Sequence, residues 1–324
     1  MTNGAVTAVA HANIALAKYW GKADVRENLP AVPSLSLTLE ALRSRTRVTP
    51  DAALETDGVA LDGSPASGRA RERVIALLDE VRALTGTTAR LRVESHNDFP
   101  TAAGLASSAS GFAALALAAS VALGADLPLA TLSSIARKAS ASAARSLFGG
   151  FVALRLGAEA AEPVLAASEF PLDMVIAVTA TGPKETSSTE GMRHTLATSP
   201  YYRAWVDAAP GMFAEVERAV RARDLEALGV LVEQSALAMH ASMLAARPAL
   251  VYFTPATLRA MERVRALRKA GTLAFYTMDA GPHVKVLCRP ADASAVASAL
   301  GAVEGVDRVI VSGAGPGAHL EPSP

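Results

Sequence analysis

The feature that most constrains this chain is an alanine-rich apolar run over residues 112–124. It follows directly on a loop of small residues, Asn97-Asp98-Phe99-Pro100-Thr101-Ala102-Ala103-Gly104-Leu105-Ala106-Ser107-Ser108-Ala109-Ser110-Gly111. A helix that is apolar on every side must be enclosed by other elements, and this one is shorter than the roughly 20 residues a bilayer crossing needs, so it reads as a buried core helix. Small side chains let a ligand approach the backbone. The free amides and dipole of the helix start, with the hydroxyls of Ser107 and Ser108, would favour a phosphate group. No Gly-Lys-Ser/Thr follows, so this is not a Walker loop. An ordinary serine-capped helix start has the same shape, and this segment alone does not separate the two.

Around this unit the first third is β-rich, with strand patterns over 6–10, 36–39, 45–49 and 91–94. Helical spacing covers 69–84, 109–123 and 132–139, and buried strands are expected at 151–154 and 174–179. The polar, glycine-containing segment 181–191 is the best junction between two lobes, placing an N-terminal lobe at 1–180 and a C-terminal lobe at 181–324. The second half alternates helices, around 201–222, 224–243 and 255–269, with strands at 273–278, 284–287 and 308–312. This is α+β order. The tail from Gly313 is expected to fray.

With 51% hydrophobic and 19% charged residues among 324, the chain is a compact soluble protein by composition. Basic and acidic residues balance at 31 each, leaving no field suited to nucleic acid or an anionic membrane. Any anionic ligand must be held by local charge. The lone Cys288 cannot form an intramolecular disulfide, and the six histidines show no metal-site spacing, so no protein-bound metal centre is expected. The N-terminus lacks the pattern of a signal peptide, and a cytoplasmic protein is the simplest reading.

Only six of the basic residues are lysines, yet Lys18 and Lys22 stand four apart in Asn13-Ile14-Ala15-Leu16-Ala17-Lys18-Tyr19-Trp20-Gly21-Lys22. An ammonium is a compact point charge, so this spacing suggests convergence on a polyanion, although a surface turn with solvated lysines and a buried Trp20 fits as well. In Ser140-Ala141-Ser142-Ala143-Ala144-Arg145-Ser146-Leu147-Phe148-Gly149-Gly150, hydroxyls alternate with tiny residues before an arginine that could grip a carboxylate or phosphate. A helix end with a glycine stop reads the same way. Asp279 follows an apolar strand in Phe275-Tyr276-Thr277-Met278-Asp279-Ala280-Gly281-Pro282-His283-Val284. Either it caps a turn, or it is a partly desolvated acid answered by a cation, for which Lys18 and Arg145 are candidates. Ser187-Ser188-Thr189-Glu190-Gly191-Met192 could close on a ligand or cap a helix.

Taken together and in order, NIALAKYWGK at 13–22, NDFPTAAGLASSASGFAAL at 97–115, SASAARSLFGG at 140–150, SSTEGM at 187–192 and MDAGPHVKVL at 278–287 resemble the diphosphomevalonate decarboxylases of the GHMP kinase superfamily. The resemblance implies a two-lobed α+β fold, with an N-terminal lobe similar to ribosomal protein S5 domain 2 and a C-terminal ferredoxin-like lobe. It implies ATP and Mg²⁺, a homodimer, and ATP-dependent decarboxylation of a diphosphorylated branched hydroxy acid. Asp279 matches the catalytic acid, with Lys18 and Arg145 as its cationic neighbours. Tyr19, Trp20, Gly21, Lys22, Arg73, Ser140, Ala141, Ser142, Ala143, Ala144, Arg145, Ser188 and Thr189 match substrate-holding positions. Ser95, Asn97, Ala102, Ala103, Gly104, Leu105, Ala106, Ser107 and Ser108 match the nucleotide-binding segment. The chain departs from the family at His283, where asparagine is usual, at Ala141 in place of glycine, and at Ala144 in place of cysteine. A relative acting on the monophosphate, a kinase that stops at 3-phosphorylation, and a catalytically silent phosphate-binding protein are the competing readings.

Overall fold

The computed structural model describes residues 4–99, 107–179 and 186–322. The first half runs β1 (Val6–Ala17), a hairpin β2–β3 (Lys22–Asp24, Leu29–Pro30), β4 (Ser34–Pro50), a hairpin β5–β6 (Gly58–Leu61, Ser64–Pro65), α1 (Gly68–Thr85) and β7 (Leu91–Asn97). It continues with α2 (Ser107–Ala122), α3 (Leu129–Ala139), a 3₁₀ helix (Ala141–Leu147), β8 (Phe151–Leu154) and β9 (Glu162–Leu165). The second half runs β10 (Asp173–Val178), α4 (Ser188–Thr198), α5 (Tyr202–Ala222), α6 (Leu225–Leu244) and α7 (Pro255–Lys269). It ends with β11 (Phe275–Thr277), β12 (Val284–Cys288), α8 (Ala293–Gly301), β13 (Arg308–Gly313) and β14 (His319–Leu320).

The expected strands 36–39 and 45–49 are one element, β4, which crosses the centre of an eight-stranded sheet. Its pairing with β1 slips midway: His11 faces Arg43, but Asn13 faces Thr38. Because side chains alternate across a strand, such a slip reverses which layer each one enters. Ala8, Ala10 and Val48 pack with α1, α2 and α3, whereas Ile14, Leu16, Leu35 and Leu37 pack with α5 and α6. The alternation was legible within each half, but not the continuity through the bulge.

A second, four-stranded antiparallel sheet has the order β11-β12-β10-β13. Met174, Ile176, Phe275 and Leu287 face α5 and α6 and share a core with the first sheet, while Val175, Ala177, Tyr276 and Val286 face α7 and α8. Each such large side chain taken from water contributes roughly 1.5–3 kcal/mol, so the shared layer holds the lobes together. Among the described residues, α6 is the one helix long and apolar enough to cross a bilayer, and half of it is buried inside the fold.

The two-lobed α+β expectation holds, but two of its boundaries move. β10 lies before residue 180 yet pairs with β12 and β13, so the second lobe begins by Asp173. The tail does not fray at Gly313: Gly315 donates to Thr38 O and accepts from Gly150 N, Ala318 donates to Leu147 O, and β14 pairs with β1. These contacts leave no room for side chains. A Cβ on Gly149 would come within 2.7 Å of Gly317 N and 2.8 Å of the Pro316 carbonyl carbon. Gly149→Ala is therefore expected to lower the unfolding free energy by roughly 1–3 kcal/mol in denaturant titration, and to make the last ten or so residues sensitive to protease.

Candidate active site

Three elements converge on one carboxylate. Lys18 follows the end of β1, and its backbone N–H donates to Ser235 Oγ of α6 at 2.9 Å, which fixes where the chain leaves the sheet. Asp279 follows β11, and Lys285 is the second residue of β12, opposite Thr277 and Ile176. Strand alternation turns Lys285 to the same side as Leu287, towards α6 and β1. Lys18 Nζ lies 2.6 Å from Asp279 Oδ1, and Lys285 Nζ lies 3.0 Å from Oδ2. The lysine side chains are 1% and 0% exposed, while that of Asp279 is 26% exposed and opens onto a cleft. Burial pushes the Asp279 carboxyl up, but Lys18 and Lys285 together outweigh it and hold the group well below the usual carboxylate range. For Lys18, burial is the larger influence and pulls the ammonium down to about 8 despite Asp279.

The cleft holds about 640 Å³ between the lobes. Arg145 lines it and is 2% exposed, yet its guanidinium meets only neutral groups: Ser36 Oγ at 2.9 Å, Ser34 Oγ at 2.6 Å, and Asn13 Oδ1 at 3.2 and 3.3 Å. Burial pulls it down to about 10. A desolvated cation without an ion pair among the described residues is a ready seat for a ligand carboxylate or phosphate. At the rim, Lys22, Arg69 and Arg73 also line the cleft. Burial lowers Lys22, and Arg69 and Arg73 lower it further; Arg73 falls to about 10 by burial and by Arg69. Arg73 donates twice to Ala139 O and lies over the Phe112 ring, with no carboxylate partner among the described residues. Like charges gathered in this way call for a polyanion.

The sequence-predicted residues divide between cleft and scaffold. Tyr19, Lys22, Arg73, Ser107, Ser108, Ser140, Ala141, Ser142, Arg145, Ser188 and Thr189 line the cleft with Lys18 and Asp279. The Tyr19 hydroxyl is buried without a hydrogen-bond partner among the described residues, and burial pushes it up, so it stays a neutral donor. Trp20 touches the cleft but is 2% exposed, donating to Thr195 Oγ1 and accepting from Trp205 Nε1. Trp20 is thus buried as the surface-turn reading expects, but Lys18 is enclosed beside Asp279 and not solvated. Gly21 is not a wall residue: its φ of 116° and its contact with Tyr202 make it the turn that aims Lys22.

Ala143 and Ala144 are correctly read as small but do not reach the cleft. In the 3₁₀ helix, Ser142 and Arg145, three residues apart, share the side that lines the cleft, while Ala143 and Ala144 are fully buried away from it. Ser95 and Asn97 also lie off the cleft wall, their side chains tied to Thr46 and Ser44. Ala102, Ala103, Gly104, Leu105 and Ala106 lie outside the described residues. Ser187 accepts from Glu190 N in a capping box, so the 187–192 segment both caps α4 and faces the cleft. His283 accepts from Thr179 N at 3.2 Å, which directs it to the end of β10.

Sequence reasoning missed Lys285, Asn13 and Arg69, and paired Arg145 with Asp279 where Lys285 makes the contact. A lysine inside the apolar strand Val284–Cys288, in a chain with so few lysines, was the available signal. Asn13 stood out similarly in an apolar strand, and its amide donates to Ser142 O and Ser146 Oγ while its oxygen receives Arg145. Arg69 is one helical turn before Arg73 and carried no signal of its own.

A two-lobed α+β chain with a helix-start cleft, an acid clamped by lysines and a cluster of cations at the cleft rim is a phosphoryl-transfer enzyme of the GHMP kinase type. Residues 10–165 match the diphosphomevalonate decarboxylase-like N-terminal domain and residues 174–312 the mevalonate 5-diphosphate decarboxylase C-terminal domain. The chain is 34% identical over 345 residues to the diphosphomevalonate decarboxylase of Candida albicans, covering 94% of both chains, and 36% identical over 326 residues to that of Aspergillus fumigatus, covering 92% of this chain and 80% of the relative. A solved structure of mevalonate diphosphate decarboxylase from Staphylococcus aureus is 36% identical with a TM-score of 0.92 over 98% of both chains. Another, in complex with MVAPP, AMPPCP and magnesium, is 40% identical with a TM-score of 0.90 over 99% of both chains. The chain belongs to the diphosphomevalonate decarboxylase family.

Asp279→Ala leaves two buried ammonium groups facing each other. It is expected to lower the unfolding free energy by about 3–5 kcal/mol near neutral pH. A lysine depressed in the folded state binds fewer protons there than in the unfolded chain, so stability rises with pH above its folded value. Wild-type stability should therefore rise with pH above about 8, where Lys18 gives up its proton, whereas in Asp279→Ala, which lacks the carboxylate that supports the ammonium, the rise begins at lower pH. The loss should shrink as pH approaches 8 and level off above it, and denaturant titrations across that range check both the size and the sign.

Proposed function

We propose that this protein converts (R)-5-diphosphomevalonate and ATP into isopentenyl diphosphate, ADP, phosphate and carbon dioxide, by 3-phosphorylation followed by decarboxylation, in the mevalonate pathway of isoprenoid biosynthesis. The observation that carries the reading is that one cleft gathers Asp279, clamped by Lys18 and Lys285, with Arg145, which has no ion pair among the described residues, and with Lys22, Arg69 and Arg73. A diphosphate at the rim puts the branched carbon of a small hydroxy acid near Asp279.

A tertiary hydroxyl leaves poorly until it is phosphorylated. Asp279, held below the usual carboxylate range by its two lysines, is a weak base towards the hydroxyl proton. Its role is to orient the hydroxyl and accept the proton once the bond to phosphorus has largely formed. Lys18 is the mobile cation that meets the charge on the transferred group. Departure of phosphate then develops positive charge at the tertiary carbon, and loss of carbon dioxide quenches it to the alkene. Arg145, locked by Asn13, Ser34 and Ser36, holds the carboxylate in place until that step.

No group of three histidine, cysteine or acidic side chains close enough for a metal occurs among the described residues. The hydroxyls of Ser107 and Ser108 at the start of α2 would help to hold an Mg²⁺ that accompanies ATP, and the ion would supply neutralisation of the phosphate charge. Tyr19 and the three-cation rim favour a diphosphate over a monophosphate. A homodimer and a cytoplasmic location complete the reading, resting on family resemblance and on the single buried cysteine; light scattering at micromolar concentration tests the dimer.

The deciding experiment incubates the enzyme with MgATP and mevalonate, its 5-phosphate or its 5-diphosphate, following ADP and carbon dioxide together. The expected outcome is equimolar release with the diphosphate alone; ADP without carbon dioxide would sink the decarboxylase reading, and preference for the monophosphate would sink the substrate. Asp279→Asn is expected to lower kcat by on the order of 10²–10⁴-fold, with both KM values within about threefold of wild type.

A further inference from the structure

The two lysines on Asp279 are not equivalent. Lys18 stands just past a strand end and lines the cleft, where a ligand can reach it. Lys285 is fully buried inside β12, hydrogen-bonded between β10 and β11, and is not part of the cleft wall. We infer that Lys285 is a positioning residue for phosphoryl transfer: ion-paired with Oδ2 at 3.0 Å, it keeps the Asp279 carboxylate charged and aimed while Lys18 leaves Oδ1 for the incoming phosphoryl group.

The inference rests on the reaction proposed above. In that step the tertiary oxygen bonds to phosphorus, the bond from phosphorus to the ADP oxygen breaks, and the hydroxyl proton passes to Asp279. Charge on the transferring group draws Lys18 away, and burial then acts on Asp279 with one contact cation fewer. The remaining charged or titratable neighbours do not replace it. Arg145, on the 3₁₀ helix, is engaged by Asn13, Ser34 and Ser36. His240, on α6, is buried against Phe253, and burial brings it down to about 4, so it stays uncharged. Among the described residues, Lys285 is the cation in contact with Asp279 that cannot leave.

The test compares wild type with Lys285→Met, Lys285→Gln and Lys285→Arg, measuring kcat and kcat/KM against pH. Gln keeps a donor without the charge, and covers the case in which Met does not fold. Loss of the buried cation lets the carboxyl rise, so activity is lost first on the acid side. The acid limb should move up by about 1–3 pH units in Met and Gln, more in kcat, which reports the loaded enzyme, than in kcat/KM, which reports the free enzyme where Lys18 still guards Oδ1. Arg should bring the limb back towards wild type. An unmoved limb in Gln, with or without a uniform fall in kcat, overturns the assignment, as does an equal shift in both profiles. If the decarboxylase reading itself fails, carbon dioxide is absent with wild type, and the two failures are told apart.

Discussion

A carboxylate shared by two buried ammonium groups is expensive to assemble, because each ion loses its water and the trio carries a net positive charge. It persists here because three backbone segments from both lobes hold the partners within 2.6 and 3.0 Å. Lys18 comes from the first sheet, while Asp279 and Lys285 come from the second. The layer of α5 and α6 between the sheets sets their separation, and Ser235 of α6 fixes the point at which Lys18 departs. The same contacts that join the lobes thus set the chemistry of the acid.

The remaining site follows from that anchor. With Asp279 answered by lysines, Arg145 has no carboxylate partner among the described residues, and the hydroxyls and amide around it satisfy its geometry without cancelling its charge. The rim cations repel one another in the same way. A cleft with such a surplus, in a chain whose overall charge is balanced, concentrates positive potential where an anionic ligand enters and leaves the outer surface ordinary.

Much of this was legible from residue order. The buried helix α2, the cation pair at Lys18 and Lys22, the hydroxyl segment before Arg145 and the acid at Asp279 all carry local signals of composition and spacing. What escaped was set by tertiary register. Lys285 looks like an exposed break in an apolar strand until the pairing of β10, β11 and β12 encloses it. Ala143 and Ala144 look like members of a ligand loop until the 3₁₀ turn points them inwards. The reversal of faces in β1 and β4 depends on a slip between strands about thirty residues apart, which no window of sequence contains. The boundary near residue 180 failed for the same reason: β10 is local in sequence to the first lobe but pairs with strands more than a hundred residues later.

The return of the tail to Gly149 and Gly150 has a consequence for how the protein is made. Those glycines follow directly on the segment that carries Arg145, and the backbone of 315–318 fills the space beside them. During synthesis the first lobe emerges long before these residues, so the turn that carries Arg145 stays unbraced until they follow. Emergence of residues 315–318, and not completion of the first lobe alone, is what braces that turn. A chain cut short by a dozen residues would have every residue named in the cleft and still lack the brace behind it.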